Sequence, residues 1–428
     1  MQPVLHLISA PRKSYRYASL WIAAVFVGIA AVLFARLIWV VQNYFFAFFA
    51  KSPYIVSILC PFGFVLAAAL VRRYAPDAKG SGIPQVLEAI EQGKLQPGDD
   101  APWCSPLVSM RTAIIKVVSS VVGIFAGASI GREGPTVQIA ASLFAGVGRK
   151  VRKYTTNAEL PSFLIAGAAA GVAAAFNTPL AGITFAIEEV IDGAWGTFRQ
   201  AMMVAVIISG ITAQALLGNY LYFGRPSVSP PNLEVVYQAL LIGLVGGGLG
   251  GVFARILAYP RVVRLPKHWA IRAFLCGVVC AAIGLLTNGS TAGSGYEATE
   301  AILMSSSPAN ASLLFPIYKL ATTALSYLSG MAGGIFSPCL TIGAGMGISL
   351  AKILHFVNFR TCALMGMVAF FSGVVQAPIT AVIIVTEMTD RHILIIPFMV
   401  TAFIAQGVGR LIMPTPLYHF LAKRHEEA

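Results

Sequence analysis

Long stretches without a charged side chain are the feature that most constrains how this chain of 428 residues folds. Such stretches lie at residues 17–35, 53–71, 161–187, 235–254 and 320–351. A helix needs about 20 apolar residues to cross a bilayer. Only 11% of the residues are charged, against roughly 25% in soluble domains. This composition excludes a soluble enzyme and a disordered chain, and the continuous apolar runs exclude an outer-membrane barrel. We therefore expect an all-α polytopic membrane protein.

Several of these stretches are too long for one perpendicular span and too short for two, and Gly, Pro or Asn interrupts many of them. Breaks of this kind are typical of tilted, broken and re-entrant helices, whose backbone is buried in protein. The sequence therefore predicts about ten to eighteen helical pieces rather than a row of simple spans.

An internal repeat divides the chain. Residues 166–190 align with residues 365–389 at a constant offset of 199, which places Asn177, Pro179 and Glu188 over Gln376, Pro378 and Glu387. Residues 131–139 (GREGPTVQI) match residues 334–342 (GIFSPCLTI) at an offset of 203. Chance similarity between apolar helices is the alternative, but two blocks in the same order favour duplication. Transporters built from repeats hold their substrate where the two halves meet.

The repeat predicts a division into five segments. These are a cytoplasmic segment at residues 1–16, a first membrane repeat at 17–222, a linker at 223–232, a second membrane repeat at 233–422 and a cytoplasmic tail at 423–428.

The net charge of +13 is concentrated in short basic clusters beside the apolar runs. The clusters are Arg12/Lys13/Arg16, Arg72/Arg73, Arg149/Lys150/Arg152/Lys153, Arg261/Arg264/Lys267 and Lys423/Arg424. Such flanks indicate the cytoplasmic side, so we expect both termini in the cytoplasm. A basic surplus also suits a protein that attracts anions. The basic residues form no aromatic-interleaved patch of the kind that binds nucleic acid, and the Cys and His spacings predict no metal site and no cofactor.

Three segments rich in Gly and Pro interrupt the apolar pattern, at residues 80–85 (GSGIPQ), 131–135 (GREGP) and 333–338 (GGIFSP). Pro fits the first turn of a helix, and Gly lets backbone approach a ligand closely. Each segment is therefore predicted to be a helix N-terminus, where free N–H groups and a partial positive charge attract an anion. The alternative is that all three are ordinary turns between helices.

Glu133 lies inside the second of these segments, between apolar stretches. A carboxylate within a membrane is costly and indicates function. At an anion-attracting helix end, the charged carboxylate would occupy the place of a permeant anion and would leave it when protonated. We therefore predict that Glu133 is a gate, with Arg132 and Gly134 as supporting neighbours. The alternative is an ion pair between Glu133 and Arg132.

Glu188 and Glu189 are adjacent near the end of an apolar stretch. Neighbouring residues on a helix point about 100° apart, so the two do not face one path. Because Glu188 has an acidic repeat partner in Glu387 and Glu189 does not, we predict a structural role for Glu188 and a proton-transfer role for Glu189. Lys116 is another charge within an apolar run, and we expect it to add positive potential.

The chain resembles the chloride channel/transporter (CLC) family. The resemblance rests on the three Gly/Pro segments, the pair Glu188-Glu189 and a Pro-Leu-Tyr sequence at 416–418, taken in this order. The resemblance runs from about residue 20 to residue 422, and it implies an inverted-repeat fold, a homodimer in the bilayer and one anion pathway per subunit. It also implies that the hydroxyls of Ser81 and Tyr418 bind chloride, with Gly82 beside Ser81. The backbone N–H groups of Ile335 and Phe336 are expected to face the anion.

The resemblance further implies that Glu133 is the gating glutamate and that Glu189 is the internal proton-transfer glutamate. Ser81 resembles the residue of chloride-selective members, since nitrate-preferring relatives carry Pro there, and Ser81 with Tyr418 argues against the fluoride-type branch. The chain ends ten residues after Tyr418, so we expect no cytoplasmic nucleotide-binding regulatory domains and a prokaryotic inner-membrane protein.

We therefore predict a chloride/proton antiporter that is not an enzyme. A passive chloride channel of the same fold is the first alternative, and only Glu189 argues against it. A carrier of another small anion, or of a larger organic anion, is the second alternative. A membrane-embedded enzyme would need a nucleophile–base pair or a metal cluster in the apolar core, and the sequence shows neither.

Overall fold

The computed structural model describes residues 2–96, 102–152, 159–191, 195–218, 221–228, 230–305 and 312–426. Parts of the predicted basic flanks and of the two terminal segments fall outside the residues whose side chains are described. These are residues 1–16, including Arg12, Lys13 and Arg16, as well as Lys153, Arg261, Arg424 and residues 425–428.

The described chain is built from helices α1 to α17. In the first half they are α1 (Gln2–Lys51), α2 (Pro53–Tyr74), α3 (Ile83–Leu95), α4 (Met110–Phe125), α5 (Glu133–Val151), α6 (Leu160–Phe176), α7 (Pro179–Phe185) and α8 (Trp195–Leu217). In the second half they are α9 (Leu233–Ala258), α10 (Trp269–Leu286), α11 (Tyr296–Met304), α12 (Phe315–Leu328), α13 (Phe336–Ile353), α14 (Phe359–Val375), α15 (Pro378–Thr389), α16 (Ile395–Ile412) and α17 (Leu417–Glu426).

The two halves repeat the same packing. Helix α13 packs on α14 as α5 packs on α6, and α16 packs on α9 as α8 packs on α1. Helices α2 and α10 contact each other across the halves, as do α7 and α15. The architecture is therefore the inverted repeat that the sequence predicted, with α17 added after the second half.

The predicted breaks in the apolar stretches are confirmed. The stretch 161–187 is divided into α6 and α7, and the repeated stretch 361–386 is divided into α14 and α15. Asn177 and Gln376 end the first helix of each pair in the left-handed conformation, with φ of 59° and 66°. Pro179 and Pro378 then begin the next helix, where a missing N–H costs nothing. Each break thus places a new helix N-terminus inside the protein.

Some helical segments among the described residues are long and apolar enough to cross a membrane. There are six, namely Ala18–Lys51, Pro53–Tyr74, Leu233–Ala258, Trp269–Leu286, Phe336–Ile353 and His392–Lys423. Residues 2–16 belong to α1, and the same helix continues past Arg36. Arg36 is accommodated because its guanidinium donates a hydrogen bond to the carbonyl oxygen of Leu216 at 3.0 Å.

The centre of the molecule is formed by α6 and α14, in which every residue of Leu160–Phe176 and nearly every residue of Phe359–Val375 is buried. A helix that is apolar on all sides belongs in such a position. Small residues let these helices approach their neighbours closely. At Gly366 in α14, an added Cβ would collide with the carbonyl oxygen of Gly343 in α13.

This contact generates a stability prediction. Gly366→Ala should destabilise the protein by about 1–3 kcal/mol, because α13 and α14 must separate to accept the methyl group. Gly407→Ala on α16 is the matched control, since a Cβ there meets nothing within 4 Å, and it should leave stability unchanged or slightly higher. Thermal unfolding in detergent measures both variants, and equal midpoints for the two would contradict the close packing.

Candidate functional site

Two of the predicted helix starts are joined by reciprocal backbone hydrogen bonds. The N–H of Gly131 donates to the carbonyl of Gly334 at 2.7 Å, and the N–H of Gly334 donates to the carbonyl of Gly131 at 2.8 Å. Since these two residues are repeat partners, the bonds lie on the axis that relates the halves. The third segment joins them, because Gly80 donates to the carbonyl of Met331 and accepts from the N–H of Gly333, both at 2.9 Å.

All three segments are helix N-termini, as the sequence predicted. Helix α3 begins at Ile83, α5 at Glu133 and α13 at Phe336. The first N–H groups of each helix have no partner within the helix, and together with the helix dipole they provide a partial positive charge. Their convergence at the centre of the protein gives a place where an anion is attracted without a full positive charge.

Two buried hydroxyls border this place. The hydroxyl of Tyr418 lies next to that of Ser81, and neither forms a hydrogen bond of ordinary geometry with any described residue. Buried hydroxyls without a protein partner are free to donate to an ion or to a water molecule. Gly134 lies against Ser81, since a Cβ at this glycine would collide with the Ser81 hydroxyl. Gly82 has a φ of 102°, and a Cβ added to it would lie 2.8 Å from the Cβ of Gln138. Only glycine therefore suits this turn.

Glu133 is the first residue of α5 and is 1% exposed. Its Oε1 accepts a hydrogen bond from the Tyr222 hydroxyl at 3.2 Å. The carboxylate also lies near the backbone N–H of Ser337 at the start of α13, although Oε2 makes no hydrogen bond of ordinary geometry with the described residues. It folds back over Gly131, where a Cβ would collide with it. A negative group thus lies where the starts of α5 and α13 meet.

Ile335 and Phe336 form the start of α13 and are both 1% exposed. The Phe336 ring packs against Phe371 and Phe176, with ring centroids 4.2 and 4.9 Å apart. Phe185 contributes a further contact at 6.5 Å. This aromatic packing fixes the first turn of α13, so that its N–H groups keep one direction.

Glu189 lies in a π-helical turn, Ala186–Val190, that ends α7. Single π turns inside helices often occur at functional sites, because the extra residue redirects side chains. Glu189 is 3% exposed, and its Oε1 lies 3.9 Å from Nε2 of the partly exposed His419. It also lies within electrostatic range of Tyr418. Tyr418 and the partly exposed His419 are therefore both neighbours of this carboxylate.

The neighbouring Glu188 is directed elsewhere. Its two carboxylate oxygens accept from the N–H groups of Ile379 and Thr380 at the start of α15, at 3.0 and 2.6 Å. The two carboxylate oxygens of Glu387 accept from the N–H groups of Leu180 and Ala181 at the start of α7, at 3.1 and 2.7 Å. Each half thus caps a helix of the other half, and this is the structural role that the repeat predicted for Glu188.

Lys116 is fully buried, and its Nζ donates to the carbonyl oxygen of Gly80 at 2.9 Å. Lys319, which follows Lys116 at the repeat offset of 203, is also buried and donates to the carbonyls of Thr291 and Gly293, both at 2.9 Å. Each lysine therefore holds one Gly-Ser-Gly loop through hydrogen bonds to its backbone carbonyls.

Two cavities approach these loops. One of about 260 Å³ is lined by Arg36, Arg132 and Tyr222. The other, of about 370 Å³, is lined by Lys79 and Arg272. The first adjoins α1 and the loop before α11, and the second adjoins the corresponding α9 and the loop before α3. The cavities are thus lined by corresponding elements of the two halves, and the cationic side chains in both walls attract anions.

A family model described as voltage gated chloride channel matches residues 63–410. The chain belongs to the voltage-gated chloride channel (CLC) family. It is accordingly a multi-pass membrane transport protein and not an enzyme. Two relatives, both named H(+)/Cl(-) exchange transporter ClcA, from Salmonella typhi and Salmonella typhimurium, are each 31% identical over 437 residues, covering 95% of this chain and 88% of the relative.

Solved structures share the fold. A slow cyanobacterial Cl-/H+ antiporter matches with a TM-score of 0.83 and 24% identity, covering 96% of this chain and 98% of that chain. A CLC-type fluoride/proton antiporter matches with a TM-score of 0.75 and 21% identity, covering 94% and 96%. A eukaryotic CLC transporter matches with a TM-score of 0.74 and 20% identity, covering 96% and 75%.

Three residues of this CLC site were missed in the sequence, although the repeat carries a signal for each. Lys319 repeats Lys116 at an offset of 203, and Ser294 repeats Ser81 at an offset of 213 within the shared sequence Gly-Ser-Gly. Tyr222 stands 196 residues before Tyr418, and a Leu precedes both tyrosines. Searching each half for the counterparts of the other half's site residues would have found them.

The crossed caps generate a second stability prediction. Glu387→Ala should destabilise the protein by about 1–3 kcal/mol, because it leaves two helix N–H groups without an acceptor and removes a negative charge from the start of α7. Glu91→Ala is the control, since its ion pair with Lys94 is half exposed and contributes little. Thermal unfolding in detergent compares them, and a midpoint for Glu387→Ala as high as that of the control would exclude the capping role.

Proposed function

We propose that this protein exchanges chloride for protons across the membrane. The observation that carries the proposal is the buried carboxylate of Glu133 at the meeting point of the α5 and α13 N-termini. A negative side chain at an anion-attracting place acts as a substitute for the permeant anion. The 31% identity to exchangers named H(+)/Cl(-) exchange transporter supports the same assignment.

Chloride binding is assigned to the place bordered by the hydroxyls of Ser81 and Tyr418 and by the N–H groups of Ile335 and Phe336. Hydroxyl and amide donors replace the water that the ion loses, and Gly82 and Gly134 allow close approach of the backbone. The partial charges of the helix ends bind the ion weakly enough for release. Lys116 supports the Ser81 loop, and Arg132 contributes positive charge in the adjoining cavity.

Coupling is assigned to two carboxylates. Charged Glu133 occupies the pathway and excludes chloride, whereas protonated Glu133 has no reason to remain and yields its place to the anion. Glu189 passes the proton between this region and the surface beside His419. When Glu133 takes up a proton, it therefore leaves a place that chloride can occupy. When it loses the proton, it returns and excludes chloride. No covalent bond is formed.

We also propose a homodimer in the prokaryotic inner membrane with both termini in the cytoplasm. The exposed apolar residues Leu180 and Ile379 lie beside the capping carboxylates of Glu387 and Glu188, which are only partly buried. Ionised groups on a lipid-facing surface are costly, so a second copy covering this face supports dimerisation. The mass of the purified protein by light scattering tests it.

The gate is tested with Glu133→Ala. This change should preserve chloride flux and abolish chloride-driven proton movement, because no titrating group then enters the pathway. Proteoliposomes monitored with paired chloride and pH electrodes measure both fluxes, with Glu91→Ala as the control that remains coupled. Retained proton pumping by Glu133→Ala would contradict the gate, and a wild type that gives a purely Nernstian chloride response would indicate a passive channel instead.

The proton acceptor is tested by a matched pair of neighbouring glutamates. Glu189→Gln should stop proton movement while chloride still flows, because an amide of the same shape carries no exchangeable acidic proton. Glu188→Gln should retain proton coupling, since that side chain caps α15. The same electrode assay separates the two, and coupling that survives in Glu189→Gln would remove this residue from the proton path.

A further inference from the structure

Tyr222 contacts the gating residue Glu133, but the function proposed above gives this tyrosine no role. It lies in the connection between α8 and α9, is 2% exposed, and donates its hydroxyl to Oε1 of Glu133 at 3.2 Å. A connection between two halves has no packing reason to send a buried hydroxyl onto a carboxylate at the centre of the molecule. The contact therefore requires a functional explanation.

The internal symmetry gives one. A Leu-Tyr pair closes the first half at residues 221–222, and another follows the last helix of the second repeat at 417–418. Tyr418 lies beside Ser81, and Tyr222 lines a cavity with Ser294, the repeat partner of Ser81. The two tyrosines thus occupy equivalent positions at opposite ends of the site. Tyr418 has no ordinary hydrogen-bond partner among the described residues, whereas the Tyr222 hydroxyl donates a hydrogen bond to Glu133.

The Tyr222 ring is held firmly. Its centroid lies 4.9 Å from that of Phe223, 5.2 Å from that of Tyr296 and 5.7 Å from that of Phe176. The guanidinium of Arg132 lies 5.7 Å from the ring centroid on another side. Edge-to-face packing fixes the ring, so the hydroxyl points at Glu133 before the carboxylate arrives.

We propose that Tyr222 is a positioning residue that latches the charged carboxylate of Glu133 in the pathway and so sets the pH at which the gate opens. This inference rests on the proposed function of Glu133. The hydroxyl donates to the carboxylate only while Glu133 is in the pathway, so it favours the closed, charged form over the open, protonated form. A hydrogen bond to a charged group changes such an equilibrium by tenfold or more.

Other charged or titratable groups also face this region from the neighbouring elements. They are Arg132 beside the start of α5, Arg36 on α1, Tyr296 and Glu297 on α11, and Lys319 on α12. Glu297 accepts a hydrogen bond from Gln42. All of these groups remain unchanged when the Tyr222 hydroxyl alone is removed, so a shift in the pH profile reports on that hydroxyl.

Tyr222→Phe tests the latch, because it keeps the packed ring and removes only the donor. The pH profile of chloride flux in proteoliposomes should move to higher pH by about one unit, which corresponds to a tenfold change in the equilibrium. Calorimetry in detergent provides a second readout that needs no reconstitution. Apparent chloride affinity should rise about tenfold above the midpoint pH and stay unchanged well below it, since the gate then competes less with the anion.

Two controls separate a latch from a merely structural effect. Tyr237→Phe removes a hydroxyl from an exposed tyrosine on α9 and should leave the profile unchanged. Tyr222→Phe combined with Glu133→Gln should behave like Glu133→Gln alone, because the hydroxyl acts only through the carboxylate.

The outcomes are distinct. An unshifted profile and unchanged affinity in Tyr222→Phe overturn the latch, and so does a shift that persists in the Glu133→Gln background. The failure of the proposed function is visible separately, as proton coupling that survives in Glu133→Ala. A shift that is present only when Glu133 is present supports the latch.

Discussion

The reciprocal hydrogen bonds between Gly131 and Gly334 are the interaction on which the rest of the site depends. They join two helix starts that are 203 residues apart in the chain, and they place both at the axis between the halves. Glycine is required there, because a Cβ at Gly334 would lie 3.0 Å from Pro135, and a Cβ at Gly131 would lie 3.0 Å from Pro338. Without this contact, the dipoles of α5 and α13 would not act on one point.

Two buried lysines and two partly buried glutamates hold this arrangement in the same symmetric way. Lys116 and Lys319 each bind the carbonyls of one Gly-Ser-Gly loop, and Glu188 and Glu387 each cap a helix of the other half. An ionised group buried without partners is expensive, but every one of these four is satisfied by backbone groups. Glu133 and Glu189 are buried carboxylates that each retain an oxygen atom without an ordinary partner among the described residues. They differ in this respect from the four groups that bind backbone.

Much of the fold and part of the site followed from the sequence, because Gly and Pro mark helix starts by local chemistry. The starts of α3, α5 and α13 were predicted correctly on this basis, and so was the presence of breaks in the apolar stretches, two of which come before Pro179 and Pro378. The loop before α11 was missed because Glu297 stands where Pro84 stands in the first half, which removes the local signal. Tyr222 was missed because its role depends on a contact with Glu133, 89 residues away, and no local pattern reports such a contact.

The central claim is that helix starts from both halves, together with the hydroxyls of Ser81 and Tyr418, hold a halide at one point. Anomalous diffraction from crystals of the protein grown in bromide tests it most directly, because bromide replaces chloride and is located without ambiguity. We predict a peak within hydrogen-bond distance of both hydroxyls and facing the start of α13. A well-ordered structure with no anomalous peak there, or with bromide bound only elsewhere, would contradict the claim.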